Sequence, residues 1–420
     1  MNITKLSWSY LKAKPLNTLL NVILFTLGIA IIVVLLLFSK QLENKLNQNT
    51  KGIDLVVGAK GSPLQIILCS IFHIDFPTGN ILLQEAEQLT KNRQVKSVIP
   101  LALGDSYGGY RIVGTSRDYP ALYQMELELG SWWTKDMEVT LGYNVAKQLG
   151  LEIGAEFEGQ HGLTDDGHSH GEILYKVVGS LKRSGSVMDN LIFTNVQSVW
   201  AVHEHENEHE ELHSHSEGDT TNAIASRVIP NLQLHEEDSL KEITSLLIKY
   251  RSPMGAIQLP RYINGNTNMQ AASPAFEAAR LFSLIGVGVE VIQGFAYIII
   301  FIAMLSIFIA LYNSLKERKY DLAIMRSMGA TKTKLFISVI LEGIWITLLG
   351  SLFGTLLGHL TIEGINILVP TTSETGITGR IFLEEELLLL VAGLLVGLIA
   401  AVIPAIQVFR TDISGILAKG

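Results

Sequence analysis

The sequence predicts an α-helical membrane protein with four transmembrane helices and a large mixed α/β extracytoplasmic domain, inserted between helices 1 and 2. Three observations lead to this fold class. The 420-residue chain is 48% hydrophobic and has a positive mean hydropathy. Four apolar runs are each long enough for a helix to cross a hydrocarbon core of about 30 Å. One long hydrophilic stretch, residues 41–284, separates the first run from the second.

The predicted segments follow from the ends of these runs. In chain order they are a cytoplasmic interfacial helix at 1–16, a first transmembrane helix at 17–40, the extracytoplasmic domain at 41–284, a second transmembrane helix at 285–312, a cytoplasmic segment at 313–334, a third transmembrane helix at 335–360, an outer loop at 361–385, a fourth transmembrane helix at 386–409 and a cytoplasmic tail at 410–420. A secretory signal peptide is the alternative for the first run. That run exceeds the usual apolar length and no A-x-A cleavage site follows it, so we expect it to be retained.

The distribution of charge predicts the orientation. Residues 41–284 hold 19 Lys and Arg against 30 Asp and Glu, whereas the N-terminal flank, segment 313–334 and the tail are basic. Because basic loops stay in the cytoplasm, both termini are predicted to be cytoplasmic and the large domain to lie outside. The sequence indicates no basic surface of the kind that binds nucleic acid. The single cysteine, Cys69, excludes an intrachain disulfide.

The extracytoplasmic domain mixes strand patterns with helical patterns. Strands are predicted at Ile53–Val57, Val95–Leu101, Tyr110–Val113, Tyr175–Val178 and Leu191–Phe193, and helices at Leu82–Lys91 and Ser239–Tyr250. The length of the domain suffices for two lobes, the second at roughly residues 100–225. The stretch Gly58–Asn80 is apolar in its centre and bounded by turn-forming residues. It is interpreted either as a loop and short helix that packs near the membrane or on a partner, or as a buried core helix.

The most basic short stretch of the chain is Lys316–Phe336, KERKYDLAIMRSMGATKTKLF. Leu322, Met325 and Met328 keep helical spacing within it, and Gly329 is a plausible helix stop. We interpret this stretch as a short amphipathic helix that docks on another protein.

The apolar run that follows contains small and polar residues. Gly350, Gly354 and Gly358 recur every four positions, a pattern that lets two helices approach closely. Glu342 is an intramembrane charge, for which a helix-anchoring role is favoured over a proton relay. His359 lies toward the outer end of the run, where a lone histidine is more often a packed or interfacial residue than a ligand.

Three stretches carry motifs of a known family: SWSYLKAKPLNTLLNVILFTLGIAI (Ser7–Ile31), ERKYDLAIMRSMGATKTKLFISVILEGIWITLLGSLFGTLLG (Glu317–Gly358) and VIPAIQVFRTDISGILAKG (Val402–Gly420). They resemble the permease subunits of MacB/LolC/FtsX-type ABC systems, also called type VII ABC transporters. The middle stretch follows the family pattern of E-R, an acidic or similar residue, and L-R-[AS]-[LM]-G-A, except that Met325 stands where the pattern has Leu. The resemblance covers the transmembrane regions, under half of the chain. It is specific for the superfamily and weak for the substrate.

The resemblance implies that Glu317–Ala330 is a coupling helix seated in a groove of a cytoplasmic ABC ATPase dimer. The residues implied in this contact are Glu317, Arg318, Asp321 and Arg326 as polar contacts, Leu322, Met325 and Met328 as groove-filling side chains, and Gly329 at the end of the helix. No Walker A pattern G-x-x-x-x-G-K-[ST] occurs and only about 16 residues precede the first run. We therefore expect the ATPase on a separate subunit and a non-catalytic permease here.

Other partners are implied in the same way. They are a second copy or a homologous permease, membrane lipids, and a periplasmic or lipoprotein partner, with the chain in a bacterial inner membrane and no nucleic acid bound. The client of such a permease would be lipid-linked, a lipoprotein or otherwise hydrophobic. FtsX-like signalling to a periplasmic enzyme and zinc-linked transport or metal handling are the alternatives.

Ten of the eleven histidines fall in residues 41–284, and eight of them form two short tracts at 161–172 and 203–219. These eight are His161, His168 and His170 in the first tract and His203, His205, His209, His213 and His215 in the second. Imidazole and carboxylate ligands suit Zn²⁺. The second tract formally matches H-E-x-x-H, but its low-complexity His/Glu composition favours weak, multi-site Zn²⁺ binding over a protease site. A solvated acidic loop and a response to pH through histidine protonation are the alternatives.

Overall fold

A computed structural model describes residues 3–161, 169–202, 241–368 and 376–409, with the backbone alone at 161, 169–173 and 408–409. The chain divides into two compact units. The membrane unit comprises Met1–Leu42 and Leu284–Gly420, and the outer unit comprises Glu43–Ser283.

The helices alternate with strands along the chain. They are α1 (Ile3–Ala13), α2 (Pro15–Asn49), α3 (Pro63–Ser70), α4 (Leu83–Thr90), α5 (Asp118–Leu122), α6 (Tyr143–Leu149), α7 (Gly255–Asn266), α8 (Pro274–Glu317), α9 (Lys319–Ser327), α10 (Lys332–Leu368) and α11 (Glu384–Phe409). A 3₁₀ turn covers Val187–Asn190, and residues 196–202 are also helical. Four of the described helices, α2, α8, α10 and α11, are long and apolar enough to cross a membrane. The predicted fold class is confirmed.

The strands are β1 (Leu55–Ala59), β2 (Ile81–Leu82), β3 (Val95–Tyr107), β4 (Tyr110–Thr115), β5 (Leu127–Gly130), β6 (Glu138–Leu141), β7 (Glu156–His161), β8 (Ser169–Leu181), β9 (Leu191–Thr194), β10 (Glu242–Ile243), β11 (Ser245–Tyr250) and β12 (Met269–Ala272). In the described residues one ten-stranded sheet runs in the order β12-β1-β11-β3-β4-β9-β6-β8-β5, and β7 pairs with β3 and β8. The pairs β4–β9 and β6–β8 are parallel, and the other pairs in this sheet are antiparallel. The proposed division of this unit into two lobes stays a prediction.

The structure corrects one helix prediction. The segment Ser239–Tyr250 was expected to be helical, but its described part forms β10 and β11. Its apolar residues Ile243, Leu246, Leu247 and Tyr250 do have helical spacing. However, β11 lies between β1 and β3, and residues 245–248 are buried, so both faces of the strand are apolar. A fully buried strand loses the two-residue alternation that identifies strands in a sequence.

The stretch Gly58–Asn80 combines its two interpretations. Helix α3 is a core helix, because Ile66 and Ile67 are 3% and 1% exposed. The loop after it turns at His73, whose φ is 55°. Two apolar side chains of this loop, Ile74 and Phe76, are exposed. The predicted helix Leu82–Lys91 is confirmed as α4.

Glycines set the closest helix contacts in the membrane unit. A Cβ atom at Gly354 would lie 2.7 Å from Cβ of Ile29, and one at Gly358 would lie 2.7 Å from Cγ1 of Val33. Both partners are on α2, so the glycine stripe of α10 is the surface on which α2 packs. This confirms the predicted helix–helix contact.

Candidate functional site

Helix α9 is the predicted amphipathic helix, and short breaks define both of its ends. It continues α8 after a single turn residue, Arg318. Gly329 ends it with a left-handed φ of 95°, a conformation that favours glycine. The Gly329 N–H donates to the Arg326 carbonyl and the Ala330 N–H to the Met325 carbonyl, both at 3.0 Å. This is the Schellman arrangement, and it confirms the predicted helix stop.

The guanidinium of Arg318 binds the carboxylate of Glu342 through two parallel hydrogen bonds. Nη1 donates to Oε1 at 3.2 Å and Nη2 to Oε2 at 3.0 Å. The Arg318 Nε donates to the Ser314 carbonyl at 3.2 Å, and Nη2 also donates to the Ser314 hydroxyl. The two charged side chains are 13% and 3% exposed. A buried, bidentate pair of this kind fixes both orientation and distance, so α9 is held at its first residue to α10.

Helix α1 closes this group of residues from another side. The Tyr10 ring lies 3.9 Å from the Arg318 guanidinium carbon, a cation–π contact, and its hydroxyl is 3.9 Å from Sδ of Met325. Burial raises the pKa of the Tyr10 hydroxyl, although the Arg318 charge opposes the shift, so the phenol stays neutral at physiological pH. We call Tyr10, Ser314, Arg318, Met325 and Glu342 the Arg318 cluster.

Two further contacts attach α1 to its neighbours. The rings of Trp8 and Trp345 meet edge to face, with their centroids 5.6 Å apart. Lys14, at the break between α1 and α2, pairs with Glu317 at the end of α8. Helix α1 thus contacts the helices before and after α9. Whether it also lies at the membrane interface stays a prediction.

The residues predicted for ATPase contact divide between two faces of α9. Leu322 is buried within the chain and Met325 is partly buried, so these side chains pack inward. Asp321 and Met328 are exposed, Met328 at 82%, and Arg326 is half-buried. The main difference from the expectation is Arg318. Its guanidinium was expected to contact a partner, but it is engaged by Glu342 inside the membrane unit.

A second polar group lies between α10 and α11. His359, expected to be a packed or interfacial residue, is buried and makes two hydrogen bonds. Its Nδ1 is 2.5 Å from the Gly379 carbonyl and its Nε2 is 2.9 Å from Oε2 of Glu386. The side chain of Gln41 makes two bonds with the backbone of Thr378, at 2.8 and 2.9 Å. Together these bonds attach the segment before α11 to α2 and α10.

The predicted metal-binding histidines cannot be placed together. His168, His203, His205, His209, His213 and His215 lie outside the described residues, and for His161 and His170 only the backbone is described. Within the described part of the chain, no three His, Cys, Asp or Glu side chains are grouped to hold a metal ion. Zinc binding by the two tracts stays a prediction.

Sequence reasoning found Arg318 and Glu342 but did not pair them. The available signal was the intramembrane charge itself, since a buried carboxylate needs a nearby cation. Arg318 lies at the end of the preceding helix, within the basic segment. Tyr10 and Ser314 carried no such signal, because an aromatic residue and a serine near a membrane surface are ordinary.

Two family models match the chain. The FtsX-like permease C-terminal model matches residues 294–413, and the MacB-like periplasmic core domain model matches residues 18–244. A comparison with curated protein sequences gave no significant match.

Solved structures similar to the chain include two extracytoplasmic domains. The periplasmic region of MacB from Actinobacillus actinomycetemcomitans is 12% identical, with 56% of this chain and 97% of that chain covered and a TM-score of 0.32. The extracellular domain of the noncanonic ABC-type transporter YknZ from Gram-positive bacteria is 11% identical, with coverages of 53% and 99% and a TM-score of 0.28.

Proposed function

The chain belongs to the MacB/FtsX-type family of ABC-transporter permeases, and we propose that it transmits the motion of a separate cytoplasmic ABC ATPase to its periplasmic domain. In this proposal α9 sits on the ATPase. Closure of the ATPase around ATP displaces α9, and α10 moves with it. The motion serves to export or extract a hydrophobic client such as a lipid-linked molecule or a lipoprotein.

The Arg318–Glu342 pair is the observation that carries this proposal. A short helix joined to its neighbours by ordinary loops would tilt under load without moving the membrane helices. Here a bidentate ion pair, 13% and 3% exposed, ties the first turn of α9 to α10. Separating the two charges would leave an uncompensated charge in a buried place, which costs about 3–5 kcal/mol. The pair therefore supports rigid transmission from α9 to α10.

The exposed face of α9 is the surface proposed for the ATPase. Tyr320 is 48% and Met328 82% exposed, and Asp321 is also exposed. Because Leu322 and Met325 pack inward, they would position this face without filling the groove of the ATPase. Met328 then becomes the main apolar anchor. A large, fully exposed apolar side chain at the end of a helix suits insertion into a pocket of a partner.

Association with the ATPase tests the proposal. The tagged chain is purified from cells that also make its cognate ABC ATPase, and the co-purified ATPase is measured. Met328→Asp should lower it about tenfold or more, because a charge would enter an apolar pocket. Thermal stability should not change, since Met328 is 82% exposed.

The matched control is Met254→Asp, which places the same substitution at a methionine that is 51% exposed in the outer unit. It should leave the amount of ATPase unchanged. Native amounts of ATPase with Met328→Asp would contradict the proposed contact.

A further inference from the structure

One surface of the outer unit is basic although the unit as a whole is acidic. The segments 88–104 and 245–276 hold Lys91, Arg93, Lys96, Lys249, Arg251 and Arg261 and no Asp or Glu, against 19 basic and 30 acidic residues over 41–284. The two segments are neighbours in space, because β3 and β11 pair and the Arg251 N–H donates to the Gln94 carbonyl at 2.8 Å. A local charge opposite to that of its domain is a feature of surfaces that bind a charged partner.

A groove opens where the turn after α4 meets α7. It has a volume of about 510 Å³, and Lys91, Arg93 and Tyr262 are among its lining residues. Its floor is held by side-chain amides, since Nε2 of Gln94 donates to Oε1 of Gln258 at 2.8 Å. We call this feature and the exposed side of α7 the basic groove.

Helix α7 has two apolar faces and uses one of them in the core. Its inner face buries Leu259 and Ile263, which are 1% and 0% exposed. The other face presents Met254, just before the helix, with Ile257 and Tyr262, which are 51%, 55% and 49% exposed. Methionine, aromatic residues and arginine together are the composition that protein interfaces favour. A helix that only covered the sheet would have a polar outer face.

The charges that face the basic groove are largely uncompensated. Glu87 pairs with Lys91 at 3.6 Å, and Asp54 accepts a hydrogen bond from the Tyr250 backbone N–H at 2.7 Å. Among the described residues, no acidic side chain forms an ion pair with Arg93, Arg251 or Arg261. The groove thus combines net positive charge, amide hydrogen-bonding groups and exposed apolar side chains.

We propose that the basic groove is a docking surface for an acidic, partly apolar segment of a partner protein on the outer side of the membrane. Carboxylates of the segment would pair with Arg93 and Arg261, and its apolar side chains would cover Ile257 and Tyr262. An anionic lipid surface is disfavoured, because a concave groove with hydrogen-bonded amides fits a polypeptide better than a flat layer of headgroups. This surface is independent of the contact proposed for α9.

Peptide binding to the full chain tests the proposal. The chain is placed in nanodiscs of zwitterionic lipid, and the anisotropy of a fluorescent amphipathic Glu/Leu peptide is measured against a Lys/Leu peptide of the same length. The native chain should prefer the acidic peptide. Arg93→Glu with Arg261→Glu should weaken its binding about tenfold, and added salt should weaken native binding, because exposed charges are screened.

A control pair with the same change in net charge is Lys135→Glu with Lys147→Glu, two exposed lysines on other elements of the unit. It should change the affinity less than about twofold. Equal binding of both peptides by the native chain, or equal weakening in the control pair, would overturn the proposal. Capture of phosphatidylglycerol vesicles that is lost in the Arg93/Arg261 variant, with peptide binding unaltered, would assign the surface to lipid and overturn it too.

Discussion

At the scale of single residues, buried polar groups determine how each unit is held together. In the membrane unit, Glu342 has a cation, Arg318, which is itself covered by the ring of Tyr10. In the outer unit, Arg111 is 5% exposed and donates to the sulfur of Cys69 and to the carbonyl of Asp75. A charge in the interior is tolerated only when such partners replace the lost water.

His73 lies beside this second charge and predicts a pH dependence. It is 7% exposed, and its Nε2 is 2.9 Å from the Tyr119 hydroxyl. Burial first, and then the Arg111 charge, lowers the pKa of His73 to about 3. The folded unit therefore keeps His73 neutral, whereas the unfolded chain protonates it near pH 6.5. Stability is complete above pH 6.5 and falls as the pH drops from 6.5 toward 3, by up to about 1.4 kcal/mol per pH unit.

Replacement of His73 by Gln should remove this part of the slope, because Gln does not titrate. Urea midpoints at pH 7, 5.5 and 4.5 can be followed through the labelling of Cys69, the single cysteine, which is buried in the folded unit. A reagent that reacts in acid, such as 4,4′-dithiodipyridine, suits these conditions. An equal loss of stability toward acid in the native chain and in His73→Gln would contradict the assignment.

At the scale of elements, close approach of α2 to α10 depends on glycine. The stripe Gly350, Gly354 and Gly358 faces α2, and a Cβ atom at Gly354 would also lie 2.9 Å from the Thr26 carbonyl oxygen. A backbone atom cannot move aside as a side chain does. The two helices would have to separate to accept any larger residue.

Gly354→Val should therefore destabilise the membrane unit by about 1–3 kcal/mol, the usual cost of overpacking. The measurement is thermal unfolding of the purified chain in detergent. Gly364→Val is the matched control in the same helix, because a Cβ atom there would meet nothing within 4 Å. It should lower the melting temperature far less. Equal losses in the two variants would point to a general effect of valine in this helix.

The elements could be predicted from the sequence where one local pattern decided them. Long apolar runs predicted the four membrane helices, and the glycine spacing predicted the α2–α10 contact. Strand β11 was misassigned because burial on both of its faces removed the alternation. The pairing of Arg318 with Glu342 was missed because residues 24 positions apart meet only after α8, α9 and α10 have packed. Such contacts depend on tertiary structure, which no local pattern encodes.

At the scale of the whole molecule, two compact units are linked through helices α2 and α8, since each boundary between the units falls within one of these helices. The family assignment makes the membrane unit a permease core and the outer unit a MacB-like periplasmic domain. In the proposed mechanism, force enters at α9, passes through the Arg318 cluster to α10, and reaches the outer unit along the continuous helices.

The central claim is that α9 and α10 move as one body. Spin labels on cysteines introduced at Ser327 and Thr361, both exposed, report the distance between α9 and the outer part of α10. Cys69 is buried and burial raises the pKa of its thiol, so it should not take up label. The distance is measured by electron double resonance in the complex with the ATPase, diluted with unlabelled chain, before and after ATP and vanadate are added.

In the native chain the distribution of distances should stay the same after ATP and vanadate, because the Arg318–Glu342 pair holds α9 to α10. In Glu342→Gln, which loses the ion pair but keeps the side-chain shape, it should shift or broaden on the same addition. A shift in the native chain as large as that in Glu342→Gln would show that α9 moves independently of α10, and would contradict the account.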